Sequence, residues 1–80
     1  MWTVYILKCS DNSYYVGCSN DMNDRLSRHN SGQVSYTSTR LPFQIVHLSV
    51  FFDKYKAYEY EKYLKSGSGR AFAKKRLHSF

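Results

Sequence analysis

Apolar residues along the chain fall into short runs with no helical period and longer stretches that have one, and polar clusters separate them. Residues 2–8, WTVYILK, are rich in β-branched and aromatic side chains and predict a strand. The turn-forming cluster SDNS at 10–13 leads into YYVGC at 14–18, and together they predict a hairpin. Ser19, Asn20 and Asp21 then offer N-caps, Met22 and Leu26 recur at helical spacing, and Gly32 supplies a stop, so a helix is expected over about 21–31. QVSYTSTRLPF, 33–43, is polar and ends near Pro42, as a loop or an irregular helical turn would. QIVHLSVFF, 44–52, predicts a third strand whose nearly unbroken apolar character suits the centre or the better-covered part of a sheet. Asp53 caps KYKAYEYEKYLK, a helix at about 54–66, and after a flexible SGSG the segment 70–77 predicts a short basic helix. The sum is an α+β fold over a single domain, 1–80: a small three-stranded, mainly antiparallel sheet flanked by helices.

Composition narrows the function classes. With 42% apolar and 18% aromatic residues, eight of them tyrosine, the chain is built to fold rather than to remain disordered. No apolar run approaches the roughly 20 residues of a membrane span, and Met1 leads directly into a strand-like segment, so a soluble cytoplasmic protein with no membrane partner is expected. Cys9 and Cys18 lack the spacing of a zinc site or a disulfide scaffold and read as buried free thiols. Twelve Lys and Arg against six Asp and Glu give +6. The surplus crowds the last third, where Lys65, Arg70, Lys74, Lys75 and Arg76 form a field suited to a polyanion, nucleic acid first. The remaining aromatics, among them Phe52, Tyr55, Tyr58 and Tyr63, read more simply as packing than as a base-stacking platform.

Candidate chemistry concentrates on two helices. On the second, Ala57, Tyr58, Glu61, Leu64 and Lys65 form the expected inward stripe, with Glu61 in its middle and Glu59 on the solvent side. A carboxylate there needs a partner: an ion pair with Arg25 or Arg28, a slightly rotated stripe, or a metal. On the first, Arg25 and His29 are four apart and project from one face, either as a solvated pair or as a phosphate-binding cation beside a proton-transferring imidazole.

Together with the hairpin, this arrangement resembles the GIY-YIG nuclease family. TVY at 3–5 stands where the family has GIY, and YVG at 15–17 where it has YIG; Arg25 lies ten residues beyond Tyr15, and Glu61 follows on a later helix. KSGSGRAFAKK further resembles the tail of small stand-alone members, relatives of the nuclease half of the bacterial excision-repair incision subunit. The resemblance implies a metal-dependent endonuclease acting on duplex or branched DNA, with RNA and a protein partner left open. It implies Glu61 holding one Mg²⁺ or Mn²⁺, Tyr5 as base, Tyr15 positioning phosphate, Arg25 stabilising charge and His29 accepting a proton. Gly17 would then let a phosphate approach, and Arg28, Lys65, Arg70, Lys74, Lys75 and Arg76 would contact nucleic acid. The alternative is a non-catalytic nucleic-acid-binding or nuclease-recruiting module of the same fold.

Three positions depart from the family pattern: Thr3 replaces a glycine, Cys18 stands where many members carry lysine, and Ala73 where some carry asparagine. Strand geometry adds a demand of its own. Side chains alternate faces, so Tyr5 and Tyr15 share one only if paired residue numbers sum to an even value. A three-residue connection at Asp11 to Ser13, or a bulge, is therefore expected.

Overall fold

The computed structural model describes residues 1–77; the last three residues of the expected 1–80 domain lie outside the described residues. Strand β1, Trp2–Cys9, is followed by β2, Tyr14–Ser19, helix α1, Met22–Asn30, and the short α2, Ser35–Ser38. Strand β3, Phe43–Phe51, and helices α3, Lys54–Lys65, and α4, Gly67–Arg76, complete the α+β fold.

Both strand pairs are antiparallel and the order is β2-β1-β3, so β1 is central. The expectation for the third strand is thereby corrected: β3 is an edge, and Ile45, Leu48 and Val50 remain exposed on it despite their apolar run. A register shift opposite Ile6 and Leu7 breaks its alternation as well.

The hairpin satisfies the parity demand. Tyr5 pairs with Gly17 and Leu7 with Tyr15, which puts both phenols on one face. The connection is three residues, displaced by one from the expected position: the Asn12 amide donates to the Cys9 carbonyl and the Cys9 amide to the Ser13 carbonyl. Asn12 takes φ 67°, the left-handed conformation that three-residue hairpin connections commonly use and that asparagine tolerates well.

The two faces of the sheet are covered differently. Val4 and Ile6 of β1 are fully buried against Ala57 and Leu64 of α3 and Ala73 of α4, with Val16, Cys18 and Tyr60 at the margin. Each large aliphatic side chain in this layer contributes roughly 1.5–3 kcal/mol. The opposite face carries Tyr5 and Leu7, equally buried, with α1 and α2 supplying the buried His29 and Thr37.

Caps fix the helices. Asp21 accepts from the Asp24 amide at 3.1 Å, Asp53 from the Tyr55 amide at 2.8 Å, and Ser66 from the Gly69 amide at 3.1 Å. The last of these overturns the flexible reading of SGSG, which forms the junction and the first turn of α4. Gly69 is buried because a side chain there would run into the backbone at Tyr63 and Leu64, so its absence lets α4 approach α3. The inward stripe of α3 is rotated slightly from the expected one: Ala57 and Leu64 are buried, Tyr60 and Glu61 half-buried, and Tyr58 and Lys65 exposed. Phe52 and Tyr55, expected to pack, are also exposed, at 90% and 69%.

Candidate active site

Hairpin pairing places Tyr5 and Tyr15 side by side, with ring centroids 6.2 Å apart. From α1, His29 packs edge-on to both, at 5.8 Å from Tyr5 and 4.9 Å from Tyr15. Its imidazole is fully buried and bonded at both nitrogens, Nε2 lying 3.0 Å from Tyr5 Oη and Nδ1 2.7 Å from Thr37 Oγ1. Thr37, on α2, is also fully buried and reaches the Val34 carbonyl at 3.3 Å. Phenol, imidazole, hydroxyl and carbonyl thus form one continuous chain behind Tyr15.

Gly17 makes room for this chain. A Cβ built there would collide with the Tyr5 hydroxyl and ring. The space expected to admit a phosphate is filled by Tyr5 itself, so Gly17 accommodates the phenol rather than a substrate.

The charges converge from two sides. Arg25, half-buried on α1, acts on Tyr5, His29 and Cys18, while Glu61, half-buried on α3, acts on Tyr5 and Cys18. Because β2 is an edge strand, groups from helices on opposite faces of the sheet can meet beside it. Burial pushes the Tyr5 phenol well above the ordinary tyrosine value, Tyr15 and Glu61 add to the rise, and Arg25 opposes it. Burial, with Arg25 second, holds His29 below its ordinary 6.5. At neutral pH the pair is therefore a protonated phenol and a neutral imidazole. Tyr5 is sealed from solvent, whereas its neighbour Tyr15 is half-buried.

Glu61 accepts from Lys65 Nζ at 3.0 Å, an i,i+4 pair instead of the bridge to Arg25 or Arg28 considered from sequence. Arg28 pairs with Asp24 at 3.0 Å on the exposed side of α1. Among the described residues no cluster of three or more His, Cys, Asp or Glu is placed to hold a metal. A single carboxylate suits a hard ion that keeps several waters and completes its shell with phosphate oxygens, and not a tetrahedral zinc site. Cys9 and Cys18 are free thiols, the first buried and the second half-buried.

A groove of about 760 Å³ adjoins this cluster, bounded by Tyr14, Tyr15, Tyr36, Lys65, Arg70 and Lys74. It meets the cluster at Tyr15 and at the lysine paired with Glu61. Three of the expected nucleic-acid contacts, Lys65, Arg70 and Lys74, line it; Lys75 and Arg76 are exposed on α4 but do not. Sequence reasoning missed Thr37 and Tyr36, which packs 5.7 Å from Tyr15. Both lie in an aperiodic polar stretch in which nothing but the aromatic ring of Tyr36 marks either residue.

A three-stranded antiparallel sheet with two phenols, an imidazole, a guanidinium and a carboxylate gathered about its edge defines a nuclease-type α+β domain. Residues 1–76 match the GIY-YIG catalytic domain, and the chain belongs to the GIY-YIG family. It is similar to a UPF0213 protein of Streptococcus pneumoniae serotype 4, 43% identical over 63 residues, which cover 78% of this chain and 64% of that protein. The UPF0213 protein YazA of Bacillus subtilis is 39% identical over 62 residues, 76% of this chain and 63% of that one. The chain thus spans just under two thirds of the length of these relatives, whose names state no activity. The solution NMR structure of the UPF0213 protein BH0048 from Bacillus halodurans shares the fold, with a TM-score of 0.59 and 37% identity, covering 92% of this chain and 81% of that one. Among the described residues no helix is long and apolar enough to cross a membrane.

Proposed function

We propose that the chain is a cytoplasmic endonuclease that hydrolyses DNA phosphodiester bonds with one divalent ion, Mg²⁺ or Mn²⁺, held by Glu61. The observation that carries this reading is the buried pairing of Tyr5 with His29 directly behind Tyr15, with Arg25 and Glu61 acting on the same group of residues. The ion would supply Lewis acidity toward the phosphate and the attacking water. Arg25 offers a bidentate fork for the charge that builds on the phosphate oxygens. Tyr15 contacts the substrate side and starts a proton relay: it accepts the water proton while passing its own to Tyr5, which passes its proton to His29 Nε2. The relay ends in an imidazolium beside two neutral phenols, so neither phenol is asked to ionise at neutral pH. Lys65, Arg70 and Lys74 give the strand a basic track leading to Tyr15.

Glu61→Ala tests the reading. Metal-dependent cleavage of duplex, flap or branched DNA is expected to fall by at least about 100-fold, while DNA binding without metal persists. Equal loss of binding and cleavage, or no cleavage by the wild type on any of these DNAs, favours a binding or recruiting module instead.

A further inference from the structure

We propose that Thr37 is a positioning residue that fixes the tautomer of His29, keeping Nε2 bare as the acceptor for the Tyr5 proton; the catalytic part of this role rests on the nuclease reading above. Tyr5, His29 and Thr37 are fully buried and joined in series. In so dry a setting each polar hydrogen needs an acceptor, and which imidazole nitrogen carries the proton is set by its partner at the other end of the ring.

The Val34 carbonyl, which accepts from the Thr37 amide at 3.1 Å and the Ser38 amide at 2.9 Å, also lies 3.3 Å from Thr37 Oγ1, and in this proposal it takes the hydroxyl hydrogen as a third, longer bond. The threonine oxygen then has a lone pair free toward His29 Nδ1 at 2.7 Å, so Nδ1 carries the proton and donates. That leaves Nε2 unprotonated, 3.0 Å from the Tyr5 hydroxyl. The opposite tautomer turns Nε2 into a donor, obliges the Tyr5 hydroxyl to turn its hydrogen toward Tyr15, and so reverses the direction of the chain and closes the relay. A threonine in a four-residue helix far from the sequence motifs therefore decides whether His29 can act as a base.

The test compares wild type, Thr37→Ser and Thr37→Val with histidine side chains labelled in ¹⁵N. Long-range proton–nitrogen correlations report the tautomer of His29 whether or not any DNA is cut. Wild type and Thr37→Ser are expected to show the Nδ1–H form. Thr37→Val, isosteric but without an acceptor, is expected to populate the Nε2–H form that an unconstrained histidine side chain prefers in water. Cleavage should fall roughly 100-fold in Thr37→Val, as for a misaligned catalytic group, and return to within about threefold of wild type in Thr37→Ser. If the valine variant does not fold, the wild-type tautomer and Thr37→Ala carry the same comparison. An Nε2–H form in the wild type overturns the proposal, as does a Thr37→Val enzyme whose tautomer changes while its rate does not. A wild type with the expected tautomer and no nuclease activity removes the enzymatic reading and the catalytic role of Thr37 together, leaving the tautomer assignment standing.

Discussion

Replacing Gly17 by alanine isolates the packing on which the phenol–imidazole pair depends. The new Cβ would sit within van der Waals distance of Tyr5 Oη and Cζ and 2.9 Å from Cε1. Ordinary contact begins at 3.4 Å, so Cε1 alone must retreat by about half an ångström and the hydroxyl by more. Tyr5 has nowhere easy to go: its side chain is fully buried and its hydroxyl is bonded to His29. Overpacking of this kind costs roughly 1–3 kcal/mol, and a weakened hydrogen bond at a buried nitrogen adds about 1 kcal/mol. A total near 3 kcal/mol corresponds to a fall in Tm of roughly 12–24 °C for a domain of this size. Thermal and urea unfolding measure it directly, and cleavage should drop roughly 100-fold as the phenol leaves its alignment. Gly67→Ala is the control, since nothing lies within 4 Å of its added methyl; there the same change should leave stability unchanged or raise it by up to about 1 kcal/mol. A Gly17→Ala protein as stable and as active as wild type would refute the packing argument.

Three further outcomes follow from the same geometry. Gly69→Ala meets backbone at Tyr63 and Leu64, which no rotamer can relieve, so α4 must lift from α3 at a cost of about 3 kcal/mol in urea unfolding, and Arg70 and Lys74 should leave the groove with it. Neutralising Lys65, Arg70 and Lys74 should flatten the plot of log affinity against log salt on duplex DNA by up to about 0.9 per lost contact, whereas Lys75 and Arg76 should change it less; equal slopes for the two sets would remove the groove from the binding surface. Burial depresses His29 and His47 below 6.5, so below that pH the unfolded chain takes up protons that the folded chain resists. Stability should therefore be full above pH 6.5 and decline as the solution is acidified toward the depressed folded values; urea midpoints that rise on acidification would contradict this.

The hairpin was legible because strand alternation is strict: once Tyr5 and Tyr15 were required to share a face, only an odd-length connection would serve, and Asn12 supplies its left-handed residue. The third strand was misplaced for a physical reason. An apolar run reports burial only if helices cover both faces, and β3 lies at an edge where Leu48 and Val50 stay exposed. SGSG reads as a linker on propensity alone, yet Ser66 caps α4 and Gly69 admits the neighbouring helix, both decided by tertiary packing. Arg25, His29 and Glu61 could be picked out by spacing and family pattern. Thr37 could not, because its importance comes from a hydrogen bond across eight residues in a stretch with no period. The role of Gly17 was likewise invisible, since the clash that defines it comes from the paired strand.

The central claim, that these side chains surround a single cation site at Glu61 beside Tyr15 and Arg25, is open to paramagnetic mapping. Mn²⁺ titrated into the labelled protein, with a short duplex DNA present to complete the coordination shell, should broaden the signals of Glu61, Cys18, Tyr15 and Arg25 together, and Glu61→Gln should abolish the effect. Broadening centred on other carboxylates, such as Asp21 and Asp24 at the start of α1, or broadening indifferent to Glu61→Gln, would contradict it.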